Sequence, residues 1–127
     1  MKILLATQKP FAAAAVNGIR SILEEAGNEV VLLEKYAGED ELVAAVADVD
    51  AMIIRSDKVT ARVLDAAPKL KIVVRAGAGF DNVDLAAATA HGVVVENTPG
   101  QNSNAVAELA IAMMIYMSRN QFTPATG

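Results

Sequence analysis

The chain has 127 residues, 54% of them hydrophobic, and a formal net charge of −4. That length and apolar fraction suit one domain with a substantial core, and the scattered charges, with no Lys/Arg tract, exclude binding to a nucleic-acid backbone. Cysteine is absent, which excludes disulfide frameworks and thiolate metal sites and reads as a cytoplasmic protein. No stretch reaches the roughly 20 apolar residues of a membrane-spanning helix.

Five short apolar runs recur along the chain, at residues 2–6, 29–33, 51–54, 71–74 and 93–95. They are rich in Val and Ile and apolar on successive positions, the pattern of parallel strands covered on both faces. Helical segments alternate with them. Residues 11–26 carry Val16, Ile19, Ile22 and Leu23 at helical spacing and stop at Gly27, which tolerates the positive φ of a C-terminal cap. Shorter helices are expected at 40–47, 60–67 and 84–90. Thr60 is placed to cap the second of these and Pro68 to end it, while Asp84 and Gly92 bracket the third. Strict alternation with right-handed crossovers predicts an α/β fold: a flavodoxin-like, open parallel sheet of five strands in the order 2-1-3-4-5, with helices on both faces.

The last helix, expected over 104–119, differs from the others. Val106, Leu109, Ala110, Met113 and Met117 form one apolar stripe, and Ile111, Met114 and Ile115 cover much of the rest. A helix apolar nearly all round needs cover on more than one side. The expected organisation is therefore a flavodoxin-like domain over 1–103, a long apolar C-terminal interdomain helix over 104–119, and a truncated linker over 120–127. An uncovered helix face over 106–117 predicts self-association, with a dimer as the simplest form.

Ligands of open α/β sheets collect beyond the carboxyl ends of the strands. After the third run stands Arg55-Ser56-Asp57-Lys58-Val59-Thr60, and after the fourth Arg75-Ala76-Gly77-Ala78-Gly79-Phe80-Asp81-Asn82. A guanidinium presents paired donors suited to carboxylate or phosphate, and Gly77 and Gly79 let backbone N–H groups approach an anion closely. Together they describe an anion cradle; the plainer alternative is that Arg55 and Arg75 pair with Asp57 and Asp81 at the surface. The loop after the fifth run offers Asn102, which either caps the last helix or reaches a ligand at its positive end.

Several other chemistries drop out. Asn82 stands where a dinucleotide fingerprint wants its third glycine, and Asn97 where the ribose wants an acid. His91 is the only histidine and precedes Gly92 at a helix end, which suits a structural role and leaves no metal set or Ser-His-Asp triad to assemble. Ala6-Thr7-Gln8 and Arg55-Ser56 stand where a phospho-receiver needs acids, and two Tyr and three Phe are few for flanking a flavin ring.

The run 54–119 resembles the D-2-hydroxyacid dehydrogenase family. The resemblance lies in Arg55-Ser56 with Lys58-Val59-Thr60, then Arg75-Ala76-Gly77-Ala78-Gly79 with Asp81-Asn82-Val83-Asp84. It continues through Ala87-Ala88, Gly92, Asn97-Thr98-Pro99, Asn102-Ser103 and Ala107-Glu108-Leu109. The resemblance implies a two-domain NAD-dependent oxidoreductase in which this lobe binds a small 2-hydroxyacid or 2-ketoacid anion. Arg55, Ser56, Arg75, Gly77, Ala78, Gly79 and Asn102 would then contact substrate, with the acid's carboxylate or a phosphate as their target. The family's cofactor loop and its catalytic arginine, acid and histidine match nothing in this stretch. The chain is therefore expected to be inactive alone, with NAD held by the other half of the parent protein. The alternative from another class is a non-catalytic flavodoxin-like module that binds a small anion or a partner protein.

Overall fold

All five apolar runs become strands because Val, Ile and Leu on successive positions suit a sheet buried on both faces. In a computed structural model, the described residues are 2–7, 13–55, 57–76, 83–98 and 103–122. The strands are β1 (Lys2–Thr7), β2 (Glu29–Glu34), β3 (Ala51–Ile54), β4 (Ile72–Ala76) and β5 (Val94–Thr98). The helices are α1 (Ala13–Glu25), α2 (Glu39–Ala45), α3 (Ala61–Asp65), α4 (Leu85–Ala90) and α5 (Ser103–Phe122). The sheet is parallel throughout and ordered β2-β1-β3-β4-β5, as the alternation of elements predicts.

Two apolar clusters sandwich this sheet. Leu4, Met52, Ile54 and Val73 face Leu42 of α2, Val63 and Leu64 of α3 and Ala88 of α4. On the other face Ile3, Leu5, Ile53 and Val74 meet Val16, Ile19 and Leu23 of α1 and Val106, Ala107 and Ala110 of α5. The alternation of side chains across a strand assigns neighbouring residues to opposite layers.

Helix ends follow their local chemistry. Gly27, at φ +90, closes α1 with the Asn28 N–H donating to the Leu23 carbonyl and its own N–H to that of Glu24. Gly92 repeats the arrangement after α4, and both are Schellman caps that satisfy otherwise orphaned carbonyls. Thr60 and Asp84 cap α3 and α4, their side chains accepting from the Val63 and Ala87 N–H groups. α3 ends at Asp65, earlier than hydropathy suggests, because Pro68 disfavours helical backbone at Ala67.

The strand bounds shift in one way that matters. β4 and β5 run on to Ala76 and Thr98, past the apolar residues that announced them, because the ladder continues through Arg75 opposite Asn97 and Ala76 opposite Thr98. Arg75 therefore belongs to the end of a strand and not to the loop after it. Of the stripe expected on α5, Val106 and Ala110 are buried and Leu109 and Met113 are half-buried. Ala107 joins them, whereas Ala105, Glu108, Ala112 and Ile115 are exposed. α1 lies beside α5 on the same sheet face, so a neighbouring helix supplies part of the cover that the sequence left open.

Candidate functional site

The carboxyl edge of the sheet is where the two arginines arrive. β3 ends at Ile54, which stands opposite Arg75 on β4, and Arg55 is the next residue along. Neighbouring strands lie about 4.8 Å apart, so the two arginines leave adjacent strands one residue out of register. Both residues are half-buried, and in both the Nε atom is buried. Ser56, Gly77, Ala78, Gly79 and Asn102 lie outside the described residues.

The residues that flank positions 77–82 are tied to neighbouring elements. At one end Arg75 and Ala76 pair with β5. At the other, Val83 forms a parallel bridge with Val59, and the Asp84 N–H donates to the Val59 carbonyl at 2.9 Å. The connections after β3 and β4 are thus joined beyond the sheet at Val59, Val83 and Asp84.

Beneath Arg55 sits a group whose environment the sequence did not disclose. Asp57 is only 2% exposed, so it is not the surface partner that a simple pairing with Arg55 would make it. Its Oδ2 accepts from the Tyr36 hydroxyl, and its Oδ1 accepts from the Arg55 backbone N–H at 3.3 Å. A buried carboxylate is tolerable only when its lone pairs are met by donors. Burial, reinforced by the Asp57 carboxylate, pushes the Tyr36 phenol well above its usual range, so it stays protonated and keeps donating.

Tyr36 reaches this position through an unusual turn. Lys35 has φ 56, the left-handed region, while its N–H donates to the Thr7 carbonyl at 3.0 Å and so extends the β1–β2 ladder by one rung. The chain then bends inward and places Tyr36, 7% exposed, in the apolar layer below the sheet edge. An aromatic just after a strand, together with an acid two residues beyond an arginine, is the signal that pointed here. It is too common to be read without the strand order.

The neighbouring features have other roles. A depression of about 410 Å³ is lined by Ala37, Gly38, Glu39, Asp40, Glu41 and Arg62. Its acidic rim is unsuited to an anion, and Arg62 already pairs with Glu39 and Asp40. His91 caps α4 and meets Asp65 of α3 at 2.7 Å, joining the two helices. Among the described residues no group of His, Asp or Glu is arranged to hold a metal ion, and no helix is long and apolar enough to cross a membrane.

A parallel sheet with two arginines at its carboxyl edge defines the class, and the comparisons give the family. Residues 11–123 match the family described as "D-isomer specific 2-hydroxyacid dehydrogenase, catalytic domain". The chain belongs to this family. It is 48% identical to D-3-phosphoglycerate dehydrogenase of Rattus norvegicus over 101 residues, covering 79% of this chain and 19% of that protein. The D-3-phosphoglycerate dehydrogenase of Mycobacterium tuberculosis is 56% identical over 81 residues, covering 63% of this chain and 15% of that one. The chain thus spans less than a fifth of the length of these curated relatives.

Among solved structures, 3-phosphoglycerate dehydrogenase of Entamoeba histolytica with bound NAD+ superposes with a TM-score of 0.78 at 52% identity. That match covers 96% of this chain and 40% of that one. Formate dehydrogenase of Staphylococcus aureus in complex with NAD matches with a TM-score of 0.62 at 36% identity, over 76% of this chain and 31% of that one.

The residues described here do not themselves fit NAD. In a dinucleotide fold the glycine-rich turn follows the first strand at the reversal of strand order. Here that reversal lies between β1 and β3, β1 leads into Gln8-Lys9-Pro10, and the glycines follow β4. β5, paired with β4, ends in Asn97-Thr98 with no acid for a ribose.

Proposed function

We propose that this chain forms the substrate-binding lobe of an NAD-dependent D-2-hydroxyacid dehydrogenase whose substrate is 3-phosphoglycerate. The observation that most supports this reading is the delivery of Arg55 and Arg75 to the ends of adjacent strands. In this reading the two guanidiniums hold the carboxylate or phosphate of the substrate as paired donors. Backbone N–H groups at Gly77, Ala78 and Gly79 and the side chains of Ser56 and Asn102 complete the cradle. The chemistry itself, exchange of a hydride between a 2-hydroxyacid and NAD, is supplied elsewhere in the parent protein, and the chain alone is inactive.

In the same reading residues 1–103 are the substrate domain and 104–119 belong to the helix that leads to the cofactor domain; the linker expected over 120–127 starts later, because α5 runs to Phe122. The face of α5 over 106–117 associates with a second copy when nothing else covers it. The protein works in the cytoplasm.

Calorimetric titration of the 127-residue chain with 3-phosphoglycerate and with NAD tests the proposal. Binding of the phosphoacid, weakened roughly tenfold or more by Arg75→Gln through loss of a charge-assisted contact, is the expected outcome. Tight NAD binding without any response to 3-phosphoglycerate would overturn it.

A further inference from the structure

We propose that Tyr36 and Asp57 form a buried positioning strut that sets the direction of Arg55 at the carboxyl edge. The inference rests on the substrate-lobe reading for its consequence, but its geometry stands independently of it. β2 and β3 are not neighbours, because β1 lies between them. Two strand spacings, about 10 Å, separate them. Tyr36, just after β2, spans that gap beneath the end of β1 and gives its hydroxyl to Asp57, just after β3. Thr7, the last residue of β1, is fully buried at the same edge, and its carbonyl accepts the Lys35 N–H, which ties the residue before Tyr36 to the end of β1.

Asp57 transmits this fixation to Arg55. One carboxylate oxygen holds the phenol while the other holds the Arg55 N–H, two residues back along the chain. A side-chain acceptor for a nearby backbone N–H restrains the backbone that carries it. The backbone of Arg55 is thereby defined at the point where it leaves the sheet, and a guanidinium on a fixed stem loses less freedom when it engages an anion. Tyr36 and Asp57 do not touch the ligand in this account; they act through Arg55.

The test uses Tyr36→Phe and Asp57→Asn, with Val30→Ala as a comparably destabilised control at the other end of β2. Hydrogen exchange of the Arg55 amide and calorimetric titration with 3-phosphoglycerate are measured well below the unfolding temperature of each variant. Both strut variants are expected to speed exchange at Arg55 and to weaken binding by about three- to tenfold, the order of one lost hydrogen bond, with Asn milder because it keeps one acceptor. Val30→Ala is expected to leave both readouts at the wild-type level. Unchanged exchange at Arg55 in Tyr36→Phe overturns the strut. Faster exchange with unchanged binding overturns its role toward the ligand. Faster exchange in a protein whose wild type binds no phosphoacid supports the strut and defeats the substrate-lobe reading instead.

Discussion

Arg55 and Arg75 were legible because each interrupts or follows a run of Val and Ile, and a cation there has no apolar layer to join. Asp57 and Tyr36 were not, since 21 residues separate them and only the order β2-β1-β3 brings them together. Lys35 was equally hidden: nothing in its side chain announces a left-handed backbone, which costs a non-glycine residue about 1–2 kcal/mol and is held here by the ladder on one side and Tyr36 on the other. Removing the phenol by Tyr36→Phe takes one donor from the buried Asp57 carboxylate, with an expected loss of about 1–3 kcal/mol by chemical denaturation at neutral pH. The folded phenol titrates above its ordinary value of 10.0. Its contribution is therefore fully present below that value and fades as pH rises through the folded one. The wild type should lose stability steeply above pH about 10, and Tyr36→Phe should lack that part of the decline. Parallel alkaline limbs in the two proteins would contradict the assignment.

At the scale of elements, the alternation of strand and helix was written plainly in the hydropathy, and the caps at Thr60, Asp84, Gly27 and Gly92 were visible as residue types suited to helix ends. The extension of β4 and β5 was not, because Arg75, Asn97 and Thr98 are polar and join the ladder only through their backbones. That extension moves the site, since it makes Arg75 part of a rigid strand. The α4 cap has a second duty, because Asp84 also donates its N–H to Val59 and so pins the far end of the segment 77–82. Asp84→Ala is expected to cost about 1 kcal/mol of stability through loss of the cap. Thermal unfolding followed by circular dichroism will show whether the midpoint drops accordingly; an unchanged midpoint would mean that the cap contributes nothing.

For the whole molecule, the two apolar layers divide the helices cleanly, with α1 and α5 on one face and α2, α3 and α4 on the other. The sequence overstated how bare α5 is, because side-by-side packing of two helices on one sheet face leaves no trace in a hydropathy plot. Ile115 nevertheless remains 49% exposed, and each Å² of apolar surface removed from water contributes roughly 25 cal/mol. Sedimentation velocity over a hundredfold concentration range is expected to show reversible assembly that Ile115→Glu weakens; a monomer throughout would remove self-association from the account.

The central claim is that the carboxyl edge at β3 and β4 is an anion site for a phosphorylated hydroxyacid. Amide chemical-shift mapping during titration with 3-phosphoglycerate tests it most directly. Saturable shifts centred on Arg55, Arg75 and the amides of 77–82 are the expected result. Shifts confined to the acidic depression at 37–41, or none at all at millimolar ligand, would contradict it.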